Sequence, residues 1–164
     1  MELSVVIPTY NEKGNIEILI PKVQKVFRDE GIDGEIIIVD DNSSDGTVEV
    51  VNQLSQQEKN IRIKVREGEK SLSKAWMDGF EMAQKDTIVC IDADLCHDPN
   101  YFPLMLAKMT DYDIVIGSRY LTPSITPKME GKSLLATRVS EIGQIITKYC
   151  TGLTQTDTSH SFRM

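Results

Sequence analysis

An α/β domain, with a mostly parallel sheet and helices on both faces, follows from three observations on the sequence. Short β-branched and apolar runs recur along the chain, stretches with apolar residues at helical spacing separate them, and several of the runs end in polar loops. Strands that alternate with helices in this way are joined by right-handed crossovers, so their carboxyl ends lie along one edge of the sheet, where ligands of open α/β sheets collect. The 164 residues, 40% hydrophobic and 26% charged, are enough for one domain with a real core.

The elements follow in order. Leu3 to Ile7 reads as a strand stopped by Pro8, which lacks a ladder donor. Ile16, Leu19, Ile20, Val23 and Phe27 then recur at helical spacing, with Pro21 predicting a kink or a late start and Gly31 and Gly34 the end. Glu35 to Val39 is a second strand, running into the polar loop Asp40 to Gly46, and Thr47, Val50, Val51 and Leu54 form the stripe of a second helix. Ile61, Ile63 and Val65 alternate as a third strand. Ser73 is placed to cap a third helix that buries Ala75, Trp76, Phe80 and Ala83. A fourth strand covers 87–91, Pro99 opens a helix to about Met109 packed through Leu104, Met105 and Leu106, and 113–117 is a fifth strand. Residues 1–120 thus make the core. Residues 121–164 add a proline-punctuated connection and an amphipathic helix from Ser133 to Tyr149, an appendage of the same domain.

A formal charge of −7 argues against a nucleic-acid partner, because phosphate backbones call for clustered Lys and Arg. Residues 1–120 carry 13 basic and 22 acidic side chains, whereas 121–164 carry 5 and 3, a mildly basic tail suited to an anionic acceptor or a membrane surface. No apolar run reaches the roughly 18 residues that span a bilayer, and no signal peptide opens the chain, so a cytoplasmic location is expected. Cys90, Cys96 and Cys150 have neither disulfide nor zinc spacing and read as buried or idle thiols; Trp76 and the methionines read as core.

Asp92-Ala93-Asp94 lies just past the fourth strand. If the chain stays extended there, side-chain alternation turns both carboxylates to one side, as two hard oxygen donors for Mg²⁺ or Mn²⁺. An isolated D-x-D is more often a pair of solvated turn acids. Here, however, Tyr10-Asn11-Glu12 and Asp40-Asp41 fall at the carboxyl ends of strands one and two, so three polar clusters converge on one edge. No glycine-rich dinucleotide or P-loop motif is present, and a site rich in acids needs a divalent metal to accept a diphosphate.

Val6 to Glu12, Val39 to Thr47, Asp78-Gly79-Phe80, Asp92 to Leu95 with His97-Asp98-Pro99, and Gly117 to Tyr120 together resemble the family-2 glycosyltransferases of GT-A fold, and within them the dolichyl-phosphate mannose synthase and polyprenyl-phosphate sugar transferase branch. The resemblance implies a Rossmann-like GT-A domain and inverting transfer of mannose or glucose from a GDP- or UDP-sugar to an acceptor, a polyprenyl or dolichyl phosphate. Pro8, Tyr10, Glu12, Asp41 and Asp40 would surround the donor, Asp92 and Asp94 would hold the metal and diphosphate, and Arg119 would meet a phosphate of donor or acceptor. Ser140 fits an acceptor-binding serine, but Ala136 stands where the branch has an arginine, with Arg138 the nearby substitute.

Further departures concern the acceptor side and the turn glycines. Ser71 replaces a glycine, which predicts an altered backbone angle, Cys96 replaces a glutamine, and Asp157 to Arg163 keeps only part of the family's terminal motif. His97 either caps its turn or touches ligand, while His160 reads as a surface residue. The same departures leave a non-catalytic nucleotide-sugar-binding or partner-binding homologue as the alternative reading. A nucleotidyltransferase is disfavoured by the loop Thr9 to Gly14, which is neither glycine-rich nor basic.

Overall fold

A computed structural model describes residues 1–118 and 162–164. The chain divides into two compact units, Met1–Val115 with Ser161–Met164, and Ile116–His160; the first is described below. The helix expected from Ser133 to Tyr149, and Arg119, Arg138, Ser140, Cys150 and His160, lie outside the described residues.

Four parallel strands, β1 (Glu2–Thr9), β2 (Asp33–Asp40), β3 (Ile61–Val65) and β4 (Ile88–Cys90), stand in the order β3-β2-β1-β4. Between them run α1 (Lys13–Glu30), α2 (Thr47–Gln57) and α3 (Leu72–Met82); a 3-10 turn, Pro99–Tyr101, leads into α4 (Phe102–Lys108). Because β1 and β2 are covered on both faces, Val5 to Ile7 and Ile36 to Val39 are wholly buried rather than alternating. Leu3, Val5, Ile7, Ile36 and Ile38 meet the apolar stripes of α1, α2 and α4, whereas Val6, Ile37 and Val39 meet Ala75 and Trp76 of α3. Among the described residues no helix is long and apolar enough to cross a membrane.

The structure departs from the sequence reading at several points, each with a local cause. β1 continues through Pro8 to Thr9. Val6 accepts a hydrogen bond from Ile91 on the β4 side and Thr9 accepts one from Asp41 on the β2 side, so Pro8, in step with Val6, faces the flank where β4 has already ended. Its missing N–H therefore breaks no ladder bond. α1 runs through Pro21 as one helix; Pro21 and Glu17, whose carbonyl loses its partner, are both exposed, so water can satisfy that oxygen. At its end Gly31 takes φ 61°, the left-handed conformation that closes a helix on Phe27 O.

The cap of α3 is Ser71, whose Oγ accepts the Lys74 N–H, and Ser73 falls inside the first turn. Ser71 has φ −157°, extended backbone open to any residue, so the loss of a glycine there needs no change of backbone angle. Phe80 of α3 is 39% exposed and Gly79 takes the buried place beside Ala75; Leu104 of α4 is 59% exposed while Met105 and Leu106 are buried. Met77 is likewise exposed and not core. β4 is three residues long, not five.

The fifth strand expected over 113–117 does not add to the sheet. The flank of β4 is taken instead by Phe162–Met164, running antiparallel: Cys90 and Arg163 exchange backbone hydrogen bonds of 2.7 and 3.3 Å, and Val115 and Met164 exchange two of 2.9 Å.

Candidate active site

The β2-β1-β4 order brings the three polar clusters to neighbouring strand ends. The loops after β1 and β2 are joined chiefly by side chains bonding to backbone. Asn11 N–H donates to Ser43 Oγ (2.8 Å), Ser44 N–H to Asn11 Oδ1 (3.0 Å), Glu12 N–H to Thr47 Oγ1 (3.1 Å) and Lys13 N–H to Asp45 Oδ2 (3.0 Å). Asn11 and Asn42 hold left-handed backbone, φ 56° and 58°, a conformation that short polar side chains tolerate. The Thr47 hydroxyl, then backbone N–H groups, hold the Asp45 carboxyl below its ordinary range despite some desolvation.

Asp40 and Asp41 have opposite surroundings, as strand alternation requires. Asp40 is wholly buried and accepts from the Thr9 hydroxyl (2.7 Å) and from Ser43 N–H and Oγ (2.7 and 2.6 Å), so its oxygens shape the loop. Asp41 turns to the α3 side, where Ser71 N–H donates to Oδ2 (3.0 Å) and the Arg66 guanidinium pairs with Oδ1. Arg66, itself largely buried, also reaches Asp78 Oδ2 through Nε (2.8 Å) and the Ser71 carbonyl (3.1 Å). Asp78 takes a second cation, Lys64 (2.8 Å), and the Lys64 hydrogen bond, followed by its charge and that of Arg66, holds its carboxyl low against desolvation.

Tyr10 is 44% exposed, with Lys70 Nζ 3.5 Å from the ring centre, a cation over an aromatic face. Glu12 accepts from Asn15 Nδ2 (2.6 Å), and Pro8 is half-buried opposite Val39. Past β4 the chain does not stay extended: it turns at Ala93 and Asp94 and reaches φ 62° at Leu95. The alternation argument for Asp92 and Asp94 therefore does not apply; the two residues flank Ala93 at this turn. Asp94 Oδ1 accepts the Cys96 N–H (3.0 Å), and Asp92 N–H donates to His97 Nδ1 (2.9 Å). His97 thus caps the turn from within the core, 3% exposed, stacked on Phe162 with centroids 5.1 Å apart. Burial pushes the neighbouring Cys90 thiol up to about 12, with Asp92 adding to the effect and Arg163 opposing it, so it is an inert thiol.

The structure thus brings together Pro8, Tyr10, Glu12, Asp40 and Asp41 on adjoining strand ends, with Asp92 and Asp94 beyond β4; Arg119, Arg138 and Ser140 are outside the described residues. Among the described residues no cluster of three or more His, Cys, Asp or Glu side chains forms a metal cage. Asp92 and Asp94, two hard oxygen donors at one turn, are of the type that binds Mg²⁺ or Mn²⁺ through one or two acids, with substrate phosphates and waters completing the shell. Sequence reading missed Arg66 and Lys70. Arg62, Lys64 and Arg66 alternate with Ile61, Ile63 and Val65, a period-two basic stripe that places Arg66 on the face of Asp41 and Asp78.

The curated dolichol-phosphate mannosyltransferase of Saccharomyces cerevisiae is 41% identical over 121 residues, covering 73% of this chain and 45% of its own length. This chain therefore spans less than half of that relative. A mannosyltransferase from Pyrobaculum calidifontis, solved in complex with GDP-Man and Mn²⁺, is similar at 25% identity and a TM-score of 0.50 over 56% of this chain and 27% of that one. The UDP complex of glucosyl-3-phosphoglycerate synthase from Mycobacterium tuberculosis shares the fold at 15% identity, with a TM-score of 0.63 over 99% of this chain and 55% of that one. The GT-A arrangement of parallel strands and facing helices is shared, and the family described as glycosyl transferase family 2 matches residues 4–164: the chain belongs to that family.

Proposed function

We propose that the chain is the donor-binding part of an inverting glycosyltransferase that moves mannose, or glucose, from a GDP- or UDP-sugar to a polyprenyl or dolichyl phosphate. The observation that carries this reading is the convergence of the loops after β1, β2 and β4 on one sheet edge in a family-2 chain. The yeast relative's name, dolichol-phosphate mannosyltransferase, and the GDP-Man and Mn²⁺ of the Pyrobaculum complex support the choice of mannose, nucleotide and lipid phosphate.

In this reading Tyr10 and Pro8 flank the nucleoside, and Asp41 accepts from the base edge while Arg66 and Ser71 keep its carboxylate aimed. Glu12 completes the donor pocket, and Asp40 shapes its wall from behind. Asp92 and Asp94 hold a divalent cation, which supplies charge neutralisation to the leaving diphosphate. A phosphomonoester acceptor, with a second pKa near 6, is already largely dianionic at neutral pH, so positioning by Arg119, Arg138 and Ser140 replaces a general base. Such an acceptor places the protein at a membrane surface.

Titration calorimetry with GDP, UDP and their sugars, with and without Mn²⁺, tests the reading. Binding is expected to tighten with Mn²⁺, and Asp94→Ala is expected to abolish the metal-linked gain, about tenfold or more in Kd. No binding of any nucleoside diphosphate at millimolar concentration with Mn²⁺, or an unchanged gain in Asp94→Ala, would overturn it. Radiolabelled sugar transfer to polyprenyl phosphate then separates an enzyme from a homologue that binds donor without turning it over.

A further inference from the structure

We propose that His97 is a positioning residue for Asp92 and that Phe162 holds His97 in place. The inference rests on the reading of Asp92 as a metal ligand. The Ile91 N–H still donates to Val6 O, and beyond it Asp92 enters a turn whose geometry must come from other contacts. His97 supplies one: its Nδ1 accepts the Asp92 N–H at 2.9 Å. A ring nitrogen that accepts leaves the imidazole proton on Nε2, and Nε2 lies 3.8 Å from Asp92 Oδ2. One imidazole therefore fixes the backbone of Asp92 and faces its carboxylate.

The ring is itself immobilised. It stacks on Phe162 with 14° between planes, and Phe162 in turn meets Phe102 edge-on at 6.2 Å. Phe162 is anchored through its neighbour Arg163, which pairs with Cys90 two residues before Asp92. The turn carrying the carboxylates is thus held between its own strand and a segment more than sixty residues away in sequence. Filling the core would need only an apolar ring; an acceptor nitrogen directed at Asp92 serves position. A ligand whose backbone is already fixed loses less freedom on binding, so metal affinity rises.

The test uses the full chain and separates the acceptor from the ring. His97→Phe keeps the stack and removes Nδ1, whereas His97→Asn restores an acceptor near the same place. Amide hydrogen exchange needs no ligand: in His97→Phe the Asp92 amide should exchange about tenfold faster, as loss of one buried hydrogen bond implies, with Val89 unchanged, and His97→Asn should recover most of the protection. In parallel, the Mn²⁺-linked gain in GDP affinity should fall about tenfold in His97→Phe and return in His97→Asn, with metal-free GDP affinity constant. Phe162→Leu, which loosens the stack without touching the site, should move both readouts in the same direction by a smaller factor. Unchanged Asp92 exchange in His97→Phe, or faster exchange with the full Mn²⁺ gain retained, overturns the proposal. Should His97→Phe not fold, wild-type values for both readouts in Phe162→Leu overturn it. A wild-type chain with no Mn²⁺ gain at all overturns the metal reading and the proposal with it, and the ligand-free exchange arm shows which of the two links failed.

Discussion

Glu35 lies near the start of β2, on the same face as Asp41, and is buried. Desolvation opposes its charge, but the Ser4 hydroxyl (2.6 Å), the Gln84 N–H (2.6 Å) and the Arg62 guanidinium outweigh it and hold the carboxyl below its ordinary value of 4.5. A group depressed in this way stabilises the fold fully above that value and loses its contribution as pH falls through the folded-state value. Glu35→Gln should therefore cost about 3 kcal/mol at neutral pH, where Arg62 loses its carboxylate and keeps the Met82 carbonyl, and the gap from wild type should close on acidification below about pH 4.5. Denaturant unfolding at neutral and acid pH measures both. At this scale the sequence showed which acids stood at strand ends but not which would be engaged. Asp40 and Asp41 are chemically identical, and their different surroundings come from alternation plus an arginine supplied by the end of β3.

The approach of α3 to β1 depends on Gly79. A Cβ there would stand 2.2 Å from Val6 Cγ1, so Gly79→Ala must push the helix off the sheet. Overpacking of this kind costs about 1–3 kcal/mol, and for a chain of this size the melting temperature should fall by roughly 2–4 °C per kcal/mol. Val6→Ala in the same chain should remove part of the clash, making the double variant less unstable than the two losses added; thermal unfolding of the three variants decides. The elements themselves were legible where one local signal sufficed, as in the period of α1 or the unbroken run Ile36 to Val39. They were not legible where a partner decides. Nothing within Asp113 to Gly117 reveals that the β4 flank is taken by Phe162–Met164, and nothing within Thr87 to Ile91 reveals that the strand stops at Cys90 and a turn begins. Pro8 misled for a related reason: the rule against proline in strands assumes a neighbour on both sides, and β4 ends too early to supply one.

Across the whole molecule, three residues distant in sequence complete the sheet edge beside the carboxylates. Phe162 and Met164 are buried, and four backbone hydrogen bonds tie this segment to Cys90 and Val115. Removing residues 162–164 should therefore destabilise the first unit by about 4 kcal/mol, the sum expected for exposing two large apolar side chains, as chemical denaturation would read. The resemblance of Asp157 to Arg163 to a family motif marked this stretch as meaningful, while its structural task became visible only in the fold.

That edge has a consequence for the order in which the protein takes shape during synthesis. β1, β2 and β3, with α1 and α2, come from residues 2 to 65 and can associate as they leave the ribosome, since their pairings span short stretches of chain. The carboxylate turn after β4 cannot gain its stacking partner until residue 162 has emerged, and closing so long a loop is slow. The loops after β1 and β2 can thus form early, and the turn after β4 is completed only later.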